Sequence, residues 1–454
     1  MESYVAVSRD ARGTVTGPGE NRLGEQDHIS TEELMSVSFR RRALALGLLA
    51  APLAFACSSD PSAPQPKTDA PAARTSLPRA LTTAEQDVLA ASNAFTFALW
   101  RQVNKSQNDT NVFVSPLSAS FALGMTLNGA AGTTYDEMHS ALQYGHTSLA
   151  DIDAGYKSLI GLLASIDPSV TMQIANSIWY RNTFPFKQTF LDTGHSSFDA
   201  TITPLDFTKT AQSLSTINGW VTDKTNGRIT SILDRITDDD VMFLINAIYF
   251  KANWRSKFDP ALTQAAPFHG VGGDQQASLM HKEDKIGYAR GTGYQAVDLP
   301  YGDSTFTMTV ILPDAGTTVE SVAASLDANA WASLTNGFRT ALVDLALPKL
   351  KLEWKRDLIP DLQGLGMHTP FTNSADFTGM STLGTQLLIS SVQQKTFVQV
   401  DEEGTQAAAV TSVGITVTSA PVPVAFRVDR PYIFAIRERL SGTVLFMGKI
   451  IRMP

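Results

Sequence analysis

Between Glu402 and Pro421 the chain reads EEGTQAAAVTSVGITVTSAP, and no other stretch limits the available folds as much. No charged side chain occurs from Gly404 to Phe426. In an extended chain Thr405, Ala407, Ala409, Thr411, Val413, Ile415 and Val417 share one side. Gln406, Ala408, Val410, Ser412, Gly414, Thr416 and Thr418 share the other, which is more polar. The β-branched residues from Val410 onward favour the extended form over a helix. The stretch is about three times as long as an ordinary strand. Its first half, GTQAAA, lacks the bulky side chains that fix a strand in a core. Small side chains suit a segment that slides between neighbours without clashing.

A series of other blocks accompanies it: NVFVSPLSASFALGMTLNGAAGTTYDEM (111–138), NGWVTDKTNGRITSIL (218–233), FLINAIYFKANWRSKF (243–258) and AVDLPYGDSTFTMTVILP (296–313). LPKLKLEWKRDLIPDLQGLGMHTPFTNSADFTGM (347–380), FRVDRPYIFAI (426–436) and LFMGKI (445–450) follow. In this order, and with EEGTQAAAVTS, they resemble the blocks of the serpins, a family of serine-protease inhibitors. The resemblance runs from about Asn93 to the C-terminus.

The residues themselves give a matching fold class. AEQDVLAASNAFTFALWRQV (84–103) predicts a helix, and Ser115-Pro116 predicts the start of the next, with a hydroxyl cap and a proline in the first turn. Leu117, Phe121 and Met125 then fall at four-residue spacing, and Thr134 with Glu137 fits a capping box for a third helix. Strand patterns follow at 171–180, 242–250, 296–312, 342–352, 386–400 and 431–450. Helices first and strands later, without βαβ alternation, indicate an α+β protein with large antiparallel sheets. The resemblance sharpens this to three β-sheets, eight or nine helices and an exposed reactive-centre loop.

The N-terminus reads as separate from the fold. Residues 40–42 are Arg-Arg-Arg, ahead of the apolar ALALGLLAAPLAFA (43–56) and Cys57, which is a secretory-signal pattern too short for a membrane span. AFAC resembles a bacterial lipoprotein box, with Cys57 as the lipidated residue, although Ala54 stands where leucine is usual. Residues 1–34 read as an extension ahead of a start at Met35, and 35–57 as the signal segment. Residues 58–80, rich in Ser, Pro and Ala, read as a flexible tether, and 81–454 as the single folded domain. The expected location is outside the cell or on its envelope, held to a membrane only through the lipid.

Length and composition fit a large core: 454 residues, 43% of them hydrophobic. The net charge of −8 and the lack of a basic run with interleaved aromatics argue against a nucleic-acid surface. The single cysteine precludes a disulfide within the chain. No G-x-S-x-G elbow, H-E-x-x-H or phosphate loop occurs, and none of the seven histidines pairs at metal-ligand spacing. These absences argue against an enzyme, no cofactor or metal is expected, and the resemblance implies an inhibitor. Glu137, His139 and Asp238 to Asp240 read as solvated surface.

The resemblance implies a single-use trap. Loop insertion in serpins is an established instance of strand addition and stored strain. A protease cuts the loop, an acyl-enzyme forms, and the loop's upstream half enters the main sheet with the enzyme attached. Glu402, Glu403, Gly404, Thr405, Gln406, Ala407, Ala408 and Ala409 would form the hinge, with Thr405 the first side chain buried. The reactive bond would be Thr418-Ser419, with Ser419-Ala420 second. Ser115, Ser118 and Asn246 match a buried cluster where the sheet opens; relatives often place a histidine there, but this chain has Gln394, which cannot titrate. Trp254 and Lys349 match residues at the breach, where insertion starts, and Lys349 is expected to pair with Glu402. The implied partner is a serine protease in covalent complex, with a cysteine protease as the alternative class, and the inhibitor is a monomer. The rival reading is a serpin that does not inhibit and acts as a carrier, chaperone or plain substrate. The absence of charged, bulky or proline residues from Gly404 to Ala420 favours inhibition.

Overall fold

Thr82 and Glu85 start the first long helix. Thr82 Oγ1 accepts from the Glu85 amide and the Glu85 carboxylate accepts from the Thr82 amide, which satisfies two of the free N–H groups at the helix start. The computed structural model describes residues 2–9, 71–405 and 422–454. The helix is α1 (Thr83–Ser106), and α2 (Pro116–Leu127) begins where Ser115-Pro116 predicts, with Ser115 Oγ accepting from the Ser118 amide. α3 (Gly132–Ala141), α4 (Leu149–Ser165), α5 (Gln188–Phe198), α6 (Thr210–Lys224), α7 (Val319–Ser325), α8 (Ala328–Gly337) and α9 (Ile359–Gln363) complete nine α-helices among the described residues. None of the described helices is long and apolar enough to cross a membrane.

The main sheet contains β1 (Glu2–Arg9), β3 (Thr171–Arg181), β4 (Ala200–Leu205), β5 (Asp240–Asn253), β11 (Leu350–Asp357) and β12 (Leu387–Val400), in the order β11-β12-β1-β5-β3-β4. A two-residue strand, β13 (Gly404–Thr405), adds to β5. The second sheet contains β2 (Val112–Val114), β6 (Gln264–Gly270), β7 (Gly273–Gly291), β8 (Tyr294–Pro300), β9 (Phe306–Pro313), β10 (Arg339–Pro348), β14 (Val424–Arg427), β15 (Tyr432–Glu438) and β16 (Val444–Ile450). Two hydrogen-bonded sheets thus stand where three are expected. The 19-residue β7 pairs with β6 near its start, with β10 along its middle and with β8 at its end, so one ladder runs through both halves.

Three expected strands turn out to be pairs. The run 296–312 breaks at Tyr301–Thr305 into β8 and β9, and 431–450 is the hairpin β15–β16. The run 342–352 breaks at Lys349, where β10 belongs to one sheet and β11 to the other. Every residue of α2 is buried, because the helix packs against β1 and β5 of the main sheet and β16 of the second. On the other face of the main sheet, Ile217 and Val221 of α6 pack with Phe243 and Ile245 of β5. Covered on both sides, β5 is buried from Asp240 to Phe250 and reads as a continuous apolar run rather than an alternating one.

Four sequence expectations need correction. Thr134 and Glu137 form no capping box: α3 starts at Gly132, and both side chains bind a distant segment instead. Thr134 Oγ1 accepts from the Asp376 amide at 2.8 Å, and Glu137 accepts from the His368 and Thr369 amides and the Thr369 hydroxyl. Glu137 is therefore a tie rather than solvated surface. Asp240 is also buried, accepting from Ser8 Oγ at 2.6 Å and the Thr237 amide at 2.8 Å. Residues 71–80 are fixed rather than tethering. Arg74 Nε reaches Asp303 at 3.2 Å, and Arg79 grips Glu85 through both Nη atoms, holding that carboxyl at about 2. Finally, Glu2–Arg9 belong to the fold, in the middle of its main sheet. The signal pattern at 35–57, with a start at Met35, implied otherwise.

Candidate functional site

β5 and β12 run in the same direction, and both pair with a strand running against them. The site is the slot between these two strands, which has a hinge end at Asn253 and Val400 and a far end at Asp240 and Leu387.

At the hinge end the chain leaves β12 and turns back onto β5. Gly404 lies opposite Asn253 and Thr405 opposite Ala252. Gly404 has φ +151°, and a β-carbon there would collide with the Ala252 carbonyl oxygen. The close approach and the backbone angle together demand glycine. Thr405 is 4% exposed, with its hydroxyl 2.7 Å from Tyr301 Oη. Burial pushes the Tyr301 phenol far up, and the bond with Thr405 offsets only part of this. Trp254 stacks on Tyr301, centroids 4.4 Å apart, and its Nε1 donates to the Asp401 carbonyl at 2.9 Å. The Trp254 and Phe258 amides donate to the Glu403 and Glu402 carbonyls at 2.8 and 3.0 Å.

The acidic pair before Gly404 is anchored to the same corner. Lys349 Nζ donates to both Glu402 oxygens, at 3.1 and 2.8 Å, and Thr263 Oγ1 donates to one at 2.8 Å. Glu403 pairs with Lys257. Burial pushes the Glu402 carboxyl up, but the bonds from Lys349, the backbone and Thr263 outweigh it and hold the group below its usual range.

Midway along the slot, Gln394 accepts from the Ser115 amide at 3.0 Å and donates to the Ser115 carbonyl at 2.8 Å. Its Nε2 also donates to Ser3 Oγ of β1 at 2.7 Å. Asn246 Nδ2 donates to Asn176 Oδ1 at 2.9 Å, and Asn176 Nδ2 to the Phe198 carbonyl at 2.6 Å. Ser118 Oγ and Asn246 Oδ1 have no partner among the described residues. A buried polar atom left this way costs about 1–3 kcal/mol, so the polar centre of the slot is held below full satisfaction.

From there to the far end β1 fills the slot, pairing with β12 from Glu2–Lys395 to Arg9–Leu387 and with β5 from Glu2–Ala247 to Ser8–Asp240. Ser3, Val5 and Val7 are fully buried, with the two valines in the main core. Ala6 and Tyr4 turn to the α6 side, Tyr4 meeting Phe243 edge-on at 6.0 Å. Burial pushes the Tyr4 phenol up to about 12.

A family model described as serpin (serine protease inhibitor) matches residues 90–453. The chain belongs to the serpin family. Serpin B8 of Homo sapiens is 34% identical over 371 residues, which cover 80% of this chain and 98% of its own. The leukocyte elastase inhibitor of Sus scrofa is 33% identical over 379 residues, covering 80% and 99%. The thermophilic serpin tengpin in its native state superimposes with a TM-score of 0.74 at 31% identity, covering 84% of this chain and 97% of its own.

In this serpin the structure brings Glu402, Glu403, Gly404, Thr405, Trp254 and Lys349 together at the hinge end, with Lys349 and Glu402 in contact. Ser115 and Gln394 bond to each other, while Ser118 reaches them through the Ser115 cap and Asn246 bonds instead toward β3. Gln406, Ala407, Ala408, Ala409, Thr418, Ser419, Ala420 and Cys57 lie outside the described residues. Sequence reasoning missed Tyr301, Thr263 and all of β1. Tyr301 and Thr263 lie more than a hundred positions from the hinge, and nothing local marks them. β1 carries a visible signal, hydroxyl and β-branched residues alternating through SYVAVS.

The Glu402 pair makes a pH prediction. A carboxyl held low in the folded state adds stability that is present above its unfolded pKa and is lost as pH falls through the folded one. Glu402→Gln is expected to lower the unfolding midpoint most near neutral pH, and the gap should close below about pH 4. Lys349 is 42% exposed, so the loss is at most about 1 kcal/mol. Chemical denaturation of both proteins across pH measures it.

Proposed function

We propose that this serpin is a suicide-substrate inhibitor of serine proteases. The observation that carries the reading is the seating of Gly404 and Thr405 as strand β13 on β5, directly after β12 ends. The hinge already points down the slot, and the segment that follows is small-sided and uncharged as far as Phe426. The protease's serine oxygen attacks the Thr418 carbonyl carbon. The Thr418-Ser419 amide breaks, the Ser419 amine leaves with a proton, and Thr418 stays esterified to the enzyme. Insertion of about 13 residues at about 3.3 Å each carries the enzyme roughly 40 Å. Hydrolysis of the ester would free it, so trapping is a race.

A threonine before the bond and no Lys or Arg between Gly404 and Phe426 suit a shallow, uncharged pocket, as in elastase- or subtilisin-type proteases. One relative carries elastase inhibitor in its name. Ser419-Ala420 is the second candidate bond; Ala420-Pro421 precedes proline and suits a protease poorly. We also propose export through the signal at 35–57 with lipidation of Cys57, a step that cuts the chain ahead of Cys57 and parts residues 1–56, β1 included, from the rest; mass spectrometry of the N-terminal peptide from the natural host tests this.

A second reading, a serpin cut without trapping, draws support from one feature: β1 occupies the lower slot. Incubation with elastase, subtilisin, trypsin and a papain-like protease, read on a denaturing gel, separates the two. An SDS-stable adduct with elastase or subtilisin, far more slowly formed with trypsin, is the expected result. Loop cleavage with no adduct in any lane favours the second reading, and faster trapping of trypsin overturns the specificity.

A further inference from the structure

The N-terminal strand occupies the seat that the reactive loop needs. Continuing the register set by Gly404–Asn253 and Thr405–Ala252, Gln406 would face Lys251 and Ala409 would face Ile248. Val410 would then face Ala247, which already faces Glu2. Only four more residues fit before the two segments collide, against the roughly 13 that a full insertion uses.

The likeness extends to side chains. In the same continued register Thr411 would take the place of Ser3, Val413 of Val5, Gly414 of Ala6 and Ile415 of Val7; a bulge after Val7 shifts Ser8 onto Asp240, and Thr416 is its counterpart by order along the chain. The two segments read S-Y-V-A-V-S and T-S-V-G-I-T: hydroxyl, variable, valine, small, β-branched, hydroxyl. Each kind has its reason in the slot. The hydroxyl of Ser3 accepts from Gln394 Nε2, and that of Ser8 meets Asp240 and Ser390 at 2.6 and 2.8 Å. The two valines enter the main core, and the small residue passes under α6. The strand also runs in the loop's direction, against both neighbours. At its end Arg9 lies over the Phe184 ring at 4.9 Å, and its amide bonds to the Asp239 carbonyl.

We propose that residues 2–9 are a stand-in for the loop, a plug carried in cis that leaves the serpin cuttable but slow to trap until the segment is released. The proposal rests on the inhibitor reading above. The plug acts on rate: a protease acylated at the loop is freed by hydrolysis while β1 still blocks the path. A slot that is free in one molecule in ten slows insertion about tenfold. Hydrolysis of one peptide bond between residues 10 and 70, leaving a new carboxylate and a new amine, turns the plug into a separate peptide held only by its ladder. Its dissociation then opens the slot.

The test uses the full chain. Val5→Asp with Val7→Asp places two charges in the core under the plug and should raise the yield of SDS-stable complex with elastase or subtilisin on the order of tenfold. Val5→Ile with Val7→Ile should leave the yield as it is. Adding the eight-residue peptide ESYVAVSR to the aspartate variant should lower the yield again, whereas a scrambled peptide should not. A lock gives an independent measurement: Ala6→Cys with Ser391→Cys, on Cys57→Ser, joins residues that face each other across β1 and β12. The oxidised form should be cut without trapping, and the reduced form should behave as the natural chain. Equal yields from natural, aspartate and oxidised proteins overturn the plug. Hydrogen exchange separates the two failures. Slow exchange at Tyr4 to Val7 with no trapping in any variant would leave the seat assignment standing and defeat the inhibitor reading; fast exchange there in the natural chain defeats the plug.

Discussion

Gly404→Val is expected to abolish trapping and leave cutting intact. The glycine sits at φ +151° with the Ala252 carbonyl oxygen where a β-carbon would go. That oxygen belongs to the backbone of β5, in the middle of the sheet, so it cannot swing aside as a side-chain tip could. A branched residue must either take up an unfavourable backbone angle, at about 1–3 kcal/mol, or push the hinge off β5. Either route raises the barrier to seating Thr405, and each 1.4 kcal/mol slows insertion about tenfold. Release of the acyl-enzyme by water is unaffected, because the proposed scissile bond follows Thr418, 14 positions beyond Gly404 in the sequence (418 − 404 = 14). The race is then lost: incubation with elastase should give a cleaved chain and free enzyme where the natural chain gives an SDS-stable adduct. An unchanged adduct yield would mean that the hinge does not seat through Gly404.

The parts of this serpin that the sequence displays well are the ones set by local chemistry. Ser115-Pro116 announces α2, and the alternation through 387–400 announces a strand half-covered by packing, as its burial pattern shows. Gly404 is legible because glycine means something specific next to a paired acid run, and it seats on β5. The pairing of Glu402 with Lys349 followed from the resemblance rather than from spacing, since 53 residues separate them. Tyr301 and Thr263 escaped notice for the same reason: a hydrogen bond across 104 residues leaves no local trace. Glu137 went astray because a helix-cap spacing was met by chance, while the carboxylate found better donors in the His368 and Thr369 amides. The merging of two expected sheets into one depends on how far a single strand, β7, keeps pairing, which periodicity does not reveal.

β1 is the most instructive omission. Its six central residues repeat the pattern of the loop some four hundred positions later, yet the repeat has meaning only once both are aligned on β5. Eight residues are enough for a strand but too few to stand out before a long unstructured-looking composition. The same shortness suits a plug: it completes the lower slot while leaving the hinge end to Gly404 and Thr405.

The second large effect is in stability. A full insertion adds a central strand with about 20 ladder hydrogen bonds, worth on the order of 10–30 kcal/mol at about 0.5–1.5 kcal/mol each. That is comparable to the entire stability of an ordinary domain. With β1 in place, the lower ladder already exists, and a cut loop that stops at Ala409 adds about six bonds, or roughly 3–9 kcal/mol. The gain on cutting should therefore be positive in the natural chain and several times larger when Val5→Asp and Val7→Asp clear the slot.

Guanidinium unfolding of the chain before and after a single cut at Thr418-Ser419 measures this directly. The cut chain is expected to unfold at a distinctly higher denaturant concentration than the intact one, with the widest separation in the plug-cleared variant. Coincident midpoints for cut and intact protein, in both natural and plug-cleared chains, would contradict the account.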